Sequence, residues 1–294
     1  KDMTAYKKLA NEYKYRVYVV DFTDITLEEA KKRNLQREEY KQVPENVIER
    51  MYAQLADNKV PSGITVIKPQ ELAQIWYKPR DLSAYKKVIH IGDIHGCYKP
   101  LKEYLEEINP QNYYIFLGDY IDRGSENAEV LQLLLQLAAL DNVTLLPDGV
   151  ASKEFRLQTA PELAQAGLSR KAVYNFYRKL SQCFYYTYQG KKVLVSHGGL
   201  ARMPENLSLV ATAELIYGTG VYEDALNVDM SFAKHAAANE YQVHGHRNYE
   251  GVPAEVNEHC FNLDGAVEMG GQLRALELSE DGFVTKMISS SKLL

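Results

Sequence analysis

The sequence predicts an α/β fold, because short apolar strands alternate with helical segments along most of its 294 residues. Several of these strands end in glycine followed by aspartate, or in a histidine next to glycine. This pattern is typical of the carboxyl edge of an open sheet, where ligands bind. Roughly the last 35 residues alternate polar and apolar positions and break at glycines, which predicts hairpins.

Composition restricts the class of protein. Apolar residues make up 46% of the chain and charged residues 25%, which is typical of a globular protein and not of a disordered one. We expect neither a membrane span nor a secretory signal, because the sequence has no apolar run of about 18 residues and no apolar leader. Three widely spaced cysteines favour a reducing compartment, so a cytoplasmic location is expected. The net charge of −5 argues against a wholly basic nucleic-acid-binding surface.

Residues 1–80 have a pattern of their own and are predicted to form a separate partial domain. A β-branched and aromatic run over 15–22 predicts a strand, and residues 64–67 predict a second, shorter one. Thr26, followed three positions later by Glu29, predicts a capped helix that extends to residue 37. Pro44 in a first turn predicts another helix over 44–52, and residues 69–79 read as a connector.

A second domain is predicted over residues 86–294. Its strands are predicted from apolar runs at 87–91, 113–117, 143–146, 192–196 and 241–243. Its helices are predicted at 100–108 and 127–140, with a mainly helical stretch over 161–183.

The candidate chemistry lies at the ends of these strands. Asp93 and His95 follow the first strand, Asp119 follows the second, and His197 and His246 follow two later ones. A locally extended backbone would point Asp93 and His95 the same way. Carboxylate and imidazole ligands together suit Mn, Fe or Zn better than Mg or Ca. Two such metals that share a carboxylate activate water and bind a phosphoryl group.

These motifs resemble the phosphoprotein-phosphatase branch of the calcineurin-like metallophosphoesterases. The likeness rests on Gly-Asp-Ile-His-Gly at 92–96, Gly-Asp-Tyr-Ile-Asp-Arg-Gly at 118–124, Ser-His-Gly-Gly-Leu at 196–200 and Gly-His at 245–246. It implies a β-sandwich flanked by helices and a phosphatase that hydrolyses phosphomonoesters with two divalent metal ions. Mn is expected first, with Fe, Zn or Ni as alternatives.

The resemblance also implies roles for individual residues. Asp93 and His95 would bind one metal, and His197 and His246 the other. Asp119 would bridge the two metals. Arg123 would contact the phosphate oxygens, as the forked guanidinium geometry allows.

One family motif is missing. The family has Gly-Asn-His-Glu directly after the strand at 143–146, whereas residues 147–151 of this chain are Pro-Asp-Gly-Val-Ala. The family's asparagine would bind metal, and its histidine would protonate the leaving group beside an aspartate at the position of Asp122. Asp122 is therefore a candidate catalytic residue without that partner, and Asp148 could supply an oxygen ligand. Three explanations stay open: a segment absent from this sequence, a deleted loop, or a natural loss that weakens the site.

Other residues near the motifs carry weaker signals. Arg247 is a candidate phosphate contact, against the alternative of a surface salt bridge. His244 is a candidate ligand or supporting donor, against a histidine at a strand edge. Residues 262–265 read best as a hairpin turn. Four tyrosines could stack on bases or could be ordinary aromatic residues: Tyr98, Tyr120, Tyr217 and Tyr222.

Residues 21–24, 33–37 and 43–52 resemble the C-terminal half of a polynucleotide-kinase-like P-loop domain. No Gly-x-x-x-x-Gly-Lys-Ser/Thr motif occurs, so no nucleotide-binding site and no kinase activity are expected from this sequence. The chain begins at Lys1 without methionine, and we expect it to start inside a larger protein.

The combination of the two segments resembles bacterial and phage polynucleotide kinase–phosphatases. It implies a terminal phosphate on RNA or DNA as substrate, and an RNA-repair ligase as a candidate partner. Two alternatives stay open. One is a catalytically weakened domain that binds phosphate or acts as a scaffold. The other is a protein Ser/Thr phosphatase or a dinucleoside-polyphosphate phosphatase.

Overall fold

The structure, a computed structural model, describes residues 2–13, 17–57, 59–74, 78–147, 155–177, 179–248 and 251–289. The chain divides into two compact units. The first comprises Lys1–Tyr77 with Asn206–Ala211, and the second comprises Lys78–Glu205 with Thr212–Leu294. The metal-ligating and catalytic residues proposed from the sequence all belong to the second unit.

In its described residues, the first unit contains a two-stranded parallel sheet, three α-helices and short 3₁₀ helices. Its elements are α1 (Asp2–Tyr13), β1 (Tyr18–Val20), α2 (Leu27–Leu35), α3 (Glu45–Asp57) and β2 (Thr65–Ile67). The predicted cap of α2 is confirmed, because Thr26 Oγ1 accepts a hydrogen bond from the Glu29 amide at 3.2 Å. The Glu29 carboxylate forms an ion pair with Arg33, 2.7 Å away. This ion pair takes the place of the hydrogen bond that Glu29 would accept from the Thr26 amide in a complete capping box. The resemblance of this unit to a kinase stays a prediction.

The second unit alternates strands and helices, as an α/β fold requires. Its elements are β3 (Arg80–Asp81), β4 (Lys87–Ile91), α4 (Tyr98–Leu105), β5 (Asn112–Phe116), α5 (Asn127–Leu137), β6 (Val143–Leu145), α6 (Ala160–Gln165), α7 (Arg170–Tyr177), β7 (Phe184–Tyr188), β8 (Lys191–Val195), α8 (Thr212–Tyr217), α9 (Ala225–His235), β9 (Glu240–His244), β10 (Glu255–Asn257), β11 (Cys260–Asn262), β12 (Gln272–Ser279) and β13 (Gly282–Ser289). A π-helical turn over Phe155–Thr159 leads into α6. Among the described residues, no helix combines the length and apolarity needed to cross a membrane.

Two sheets form the frame of this unit. The first has the order β13-β12-β4-β5-β6, in which β4, β5 and β6 are parallel. The second has the order β10-β11-β9-β8-β7-β3, in which β8, β9 and β11 are parallel. Each sheet therefore brings the carboxyl ends of its parallel strands to one edge.

The two sheets share a hydrophobic core and so form a sandwich. Buried side chains from both sheets line that core, among them Val88, Tyr113, Ile115, Tyr186, Val193 and Val243. The other face of the first sheet packs against helices through a second buried cluster, which includes Leu101, Leu131, Leu134, Leu163 and Phe176. The predicted β-sandwich flanked by helices is confirmed.

Several of the 22 tyrosines of the chain lie in these two buried clusters. Tyr113, Tyr120, Tyr186 and Tyr188 are almost completely buried. Each hydroxyl has a polar partner: Tyr113 with Thr144, Tyr120 with the Leu146 carbonyl, Tyr186 with His90 and Tyr188 with the Lys86 carbonyl. These tyrosines bury large rings at little polar cost, because none of the hydroxyls is left unsatisfied.

His90, in the middle of β4, makes stability depend on pH. Its ring lies inside the sandwich, with Nδ1 3.0 Å from the Leu276 carbonyl and Nε2 2.9 Å from the Tyr186 hydroxyl. Burial lowers the pKa of His90 to about 4. In the unfolded chain a histidine titrates near 6.5. As the pH falls below that value, His90 binds a proton in the unfolded state but not in the native state. The free energy of unfolding should therefore drop by about 1.4 kcal/mol per pH unit until the pH reaches about 4.

The measurement is urea denaturation at pH 7.5 and pH 5.5, for the native protein and for His90→Gln. Other groups contribute the same acid sensitivity to both proteins, so the difference between them isolates His90. We expect His90→Gln to lose less stability over this interval. Equal losses in the two proteins would contradict the assignment.

Candidate metal centre

Five predicted ligand residues meet at one edge of the second unit. The loops after β4 and β5 carry Asp93, His95 and Asp119, and those after β8 and β9 carry His197 and His246. Asp119 lies in the centre of the group. Its Oδ2 is 3.3 Å from His95 Nε2 and 3.7 Å from His246 Nδ1, and its Oδ1 is 3.5 Å from His197 Nε2.

The cluster divides into two groups of three that share Asp119. Asp93 and His95 form one group with it, and His197 and His246 form the other. Within each group, one ligand atom per residue lies within 4.8 Å of the others. This arrangement suits two neighbouring metal ions with one shared carboxylate, which is the role that the resemblance implies for Asp119.

The backbone at these residues is unusual. His95, Asp119 and His246 have φ angles of 45°, 43° and 62°, in the left-handed region that costs roughly 1–3 kcal/mol for a residue with a side chain. The extended backbone predicted at His95 is therefore wrong, although the Asp93 and His95 side chains do meet in one ligand group, as expected. The turn is held by hydrogen bonds from the Ile94 and His95 amides to the Asp119 carbonyl, at 3.0 and 2.7 Å. Ligands from two different loops are thereby tied to each other through the main chain.

An unsatisfied atom in the cluster fits a cation. Asp93 and His95 are 1% and 3% exposed. Among the described residues, Asp93 Oδ1 has no hydrogen-bond partner. A buried polar atom without a partner is costly, and a bound metal would relieve that cost. The donors present, two carboxylates and three imidazoles, match the ligand types of transition metals.

Burial and neighbouring charges shift the pKa values of the carboxyl and imidazole groups in the cluster. Burial and the neighbouring charge of Asp264 raise the pKa of Asp93. Burial alone would lower the pKa of His95, but the hydrogen bond and charge of Asp119, together with Asp93 and Glu268, raise it to about 9. Asp119 stays ionised, because the three histidines lower its pKa against the effect of burial. A metal must therefore displace protons here, so its binding should strengthen with rising pH.

Arg123 and Asp122 lie beside the ligands on the loop after β5. Both have left-handed backbones, with φ angles of 73° and 79°. The Arg123 guanidinium is 3.3 Å from His95 Nε2 and 3.1 Å from Glu268 Oε1, and its side chain is 58% exposed. It thus borders the cluster and faces solvent, where a phosphate group would enter. The Asp122 carboxylate accepts a hydrogen bond from Thr159 Oγ1. Its predicted catalytic role stays a prediction.

Arg247 lies inside the protein, which is not the position of the surface salt bridge that was the alternative to a phosphate contact. It is fully buried. Its Nε donates to the Tyr217 carbonyl at 3.2 Å, and its Nη2 donates to the Thr219 carbonyl at 2.7 Å. The structure therefore gives Arg247 the role of an anchor for the loop after α8, and its predicted phosphate contact stays a prediction.

Acidic and histidine residues that sequence reasoning missed, or interpreted otherwise, surround the cluster. Asp264 follows β11 and is 7% exposed, and burial raises its pKa. Asp264 does lie in a turn, because its carboxylate accepts a hydrogen bond from the Ala266 amide. The predicted hairpin is wrong, however, because β11 pairs with β9 and β10 whereas β12 belongs to the other sheet. The signal available in the sequence for Asp264 was its position directly after a strand, as for the five cluster residues. His244 is fully buried and pairs with Asp229 at 3.0 Å, so it supports the loop from behind.

The missing family motif falls on a stretch that the structure describes only in part. Leu146 and Pro147 are described, whereas residues 148–154 lie outside the described ranges. The candidate oxygen ligand Asp148 is among the latter. Its role therefore stays a prediction.

The comparisons with known proteins agree with this geometry. Residues 86–250, more than half of the chain, match the model of the family described as calcineurin-like phosphoesterase. The asymmetrical bis(5'-nucleosyl)-tetraphosphatase PrpE of Oceanobacillus iheyensis is 24% identical over 233 residues, which cover 68% of this chain and 91% of that protein. Serine/threonine-protein phosphatase 2 of Salmonella typhimurium is 41% identical over 63 residues. That match spans only 20% of this chain and 29% of the phosphatase.

A solved structure shows the same fold. It is a protein serine/threonine phosphatase from Saccharomyces cerevisiae with similarity to human phosphatase PP5. The TM-score is 0.55 at 15% identity, with 86% of this chain and 98% of the other covered. The family match, the phosphatase relatives and the paired Asp and His groups lead to one conclusion. The chain belongs to the calcineurin-like phosphoesterase family and is a metal-dependent phosphoesterase of the phosphatase type.

Proposed function

We propose that the chain hydrolyses phosphomonoesters at nucleic-acid ends, as part of a polynucleotide kinase–phosphatase. The observation that carries the phosphatase reaction is the sharing of Asp119 between two groups of ligands. Asp93 and His95 would hold one divalent ion, and His197 and His246 the other. Two metals bound in this way supply Lewis acidity and an activated water nucleophile.

The protein's own residues have separable tasks in this proposal. The ionised Asp119 carboxylate holds the two halves of the site at a fixed separation. Arg123 would bind the non-bridging phosphate oxygens and so orient the ester for attack. Glu268 keeps the Arg123 guanidinium at the rim of the cluster through its 3.1 Å ion pair. Thr159 orients Asp122 by donating to its carboxylate.

The nucleic-acid substrate is supported by the sequence resemblance to kinase–phosphatases. A net charge of −5 is compatible with a site that binds only the phosphorylated end of a nucleic acid. Binding along the sugar–phosphate backbone would require a basic groove. A second candidate is cleavage of dinucleoside polyphosphates, which the PrpE relative's name favours. The missing Gly-Asn-His-Glu motif favours a third, a weakened domain that binds phosphate without turning it over.

One substrate panel separates these candidates. Metal-stripped protein is loaded in turn with Mn, Fe(II), Zn and Ni. Phosphate release is then measured from a 3′-phosphorylated oligonucleotide, a bis(5′-nucleosyl) tetraphosphate and a phosphoserine peptide. We expect the oligonucleotide to have the highest kcat/KM and Mn to support the highest rate, with His197→Ala inactive on all three. Preference for the tetraphosphate or the peptide would replace the proposal. Full metal loading without hydrolysis would establish the weakened domain.

A further inference from the structure

Two tyrosine rings form a wall beside the ligand cluster. Tyr217 ends α8, and Tyr222 begins the short 3₁₀ helix that leads to α9. Their ring centroids lie 5.9 Å and 5.6 Å from the centroid of the His246 imidazole. The Nδ1 atom of that imidazole is 3.7 Å from Asp119 Oδ2. Both aromatic rings are therefore separated from the shared carboxylate by a single side chain.

The backbone that carries these rings is firmly held. Arg247 donates to the carbonyls of Tyr217 and Thr219, and the Thr219 amide donates to the Gly199 carbonyl at 3.1 Å. The Tyr222 hydroxyl accepts a hydrogen bond from the Asn248 amide at 3.1 Å. This anchoring fixes the backbone of both residues and the ring of Tyr222 before a ligand arrives, so less conformational entropy is lost on binding.

Large parts of both rings are nevertheless open to water. Tyr217 is 41% exposed and Tyr222 is 39% exposed. Fixed, half-exposed aromatic rings offer flat surfaces for another flat ring, and nucleobases of every kind have such a face. The rings border the position where the ester's phosphate would be bound, so a group attached to that phosphate would reach them.

Resting on the proposed phosphatase function, we propose that Tyr217 and Tyr222 bind the base of a nucleoside phosphate while its phosphate group lies at the metal cluster. The substrate class is thereby narrowed to phosphate esters of nucleosides, whether free or at the end of a strand. Recognition by stacking tolerates all bases, since it uses the ring face and not the hydrogen-bonding edge. We expect little discrimination between purines and pyrimidines.

The test compares a nucleoside 3′-monophosphate with ribose phosphate, which has the phosphate and the sugar but no base. Tyr217→Ala and Tyr222→Ala should each lower the preference for the nucleotide, expressed as a ratio of kcat/KM values, by about ten-fold or more. The change should appear mainly in KM. Tyr217→Phe and Tyr222→Phe should keep the preference, whereas Tyr217→Leu, which is apolar but has no ring, should lose it. Tyr40→Ala, at an 80% exposed position in the first unit, serves as the matched control.

Several outcomes would overturn the inference. An unchanged nucleotide preference in both alanine variants, or an equal loss in the Leu and Phe variants, would show that the rings do not stack on a base. A matching loss on a phosphoserine peptide would assign the wall to protein substrates. If neither ester is hydrolysed, the proposed function is wrong. The stacking inference is then tested by calorimetry, as the ratio of the affinities of the metal-loaded protein for the same two compounds. Thermal unfolding of each variant separates loss of recognition from loss of fold.

Discussion

Replacing Asp119 by asparagine is expected to remove most of the bound metal and to lower kcat by about 10³-fold or more. The side chain keeps its size but loses the charge that holds His95, His197 and His246 around it. An amide offers one weaker oxygen donor where the carboxylate offers two anionic ones. Because both ligand groups contain Asp119, both would be weakened together. Several kcal/mol of transition-state stabilisation from the metals would then be lost.

The measurement combines elemental analysis of the purified protein with the rate of phosphate release under saturating metal. Asp141→Asn, on the exposed turn before β6, removes the same charge away from the cluster and should change neither quantity. His197→Ala provides a second comparison, because it removes a ligand from one group only. We expect it to retain about half of the metal while losing activity. An Asp119→Asn protein with full metal and full kcat would contradict the shared-ligand assignment.

The parts of the site that could be read from the sequence are those with a local signature. An apolar strand closed by a ligand residue identifies Asp93, Asp119 and His197 without knowledge of the partners of each strand. The strand positions followed for the same reason, since periodicity and length are local properties. The sandwich itself was implied only by the family resemblance, because no local pattern states which strands pair.

What the sequence did not reveal depends on contacts between distant segments. Asp264 forms an Asx-type turn of its own, so its proximity to Asp93 appears only once β11 pairs with β9. The sequence favoured a surface salt bridge for Arg247. In the structure its guanidinium is buried and packs against the backbone of Gly218. The mainly helical stretch predicted over 161–183 contains α6 and α7, and the residues described after Tyr177 form turns and bends that lead into β7.

Gly245 is the position where one added methyl group should damage the site most directly. A Cβ atom there would lie 2.0 Å from Asp93 Oδ1 and 3.0 Å from its Cγ. Asp93 cannot retreat freely, because its Oδ2 accepts the His246 amide at 2.8 Å. Gly245→Ala should therefore displace a metal ligand by an ångström or more. Misplacement on that scale costs about 10²-fold in kcat, and we expect metal affinity to fall with it. Overpacking should also cost about 1–3 kcal/mol of stability.

Gly190→Ala supplies the control, since its Cβ meets nothing within 4 Å although its φ is +80°. It should lose a little stability through backbone strain and keep its metal and its rate. A double-mutant cycle identifies the cause of the Gly245 effect. If the methyl group acts through Asp93, Gly245→Ala should cost much less stability when Asp93 is already alanine. Additive losses would place the damage elsewhere in the loop. The clash is with Asp93 Oδ1, which has no hydrogen-bond partner among the described residues. Non-additivity would therefore also show that the absence of a side chain at position 245 leaves room for the Asp93 carboxylate.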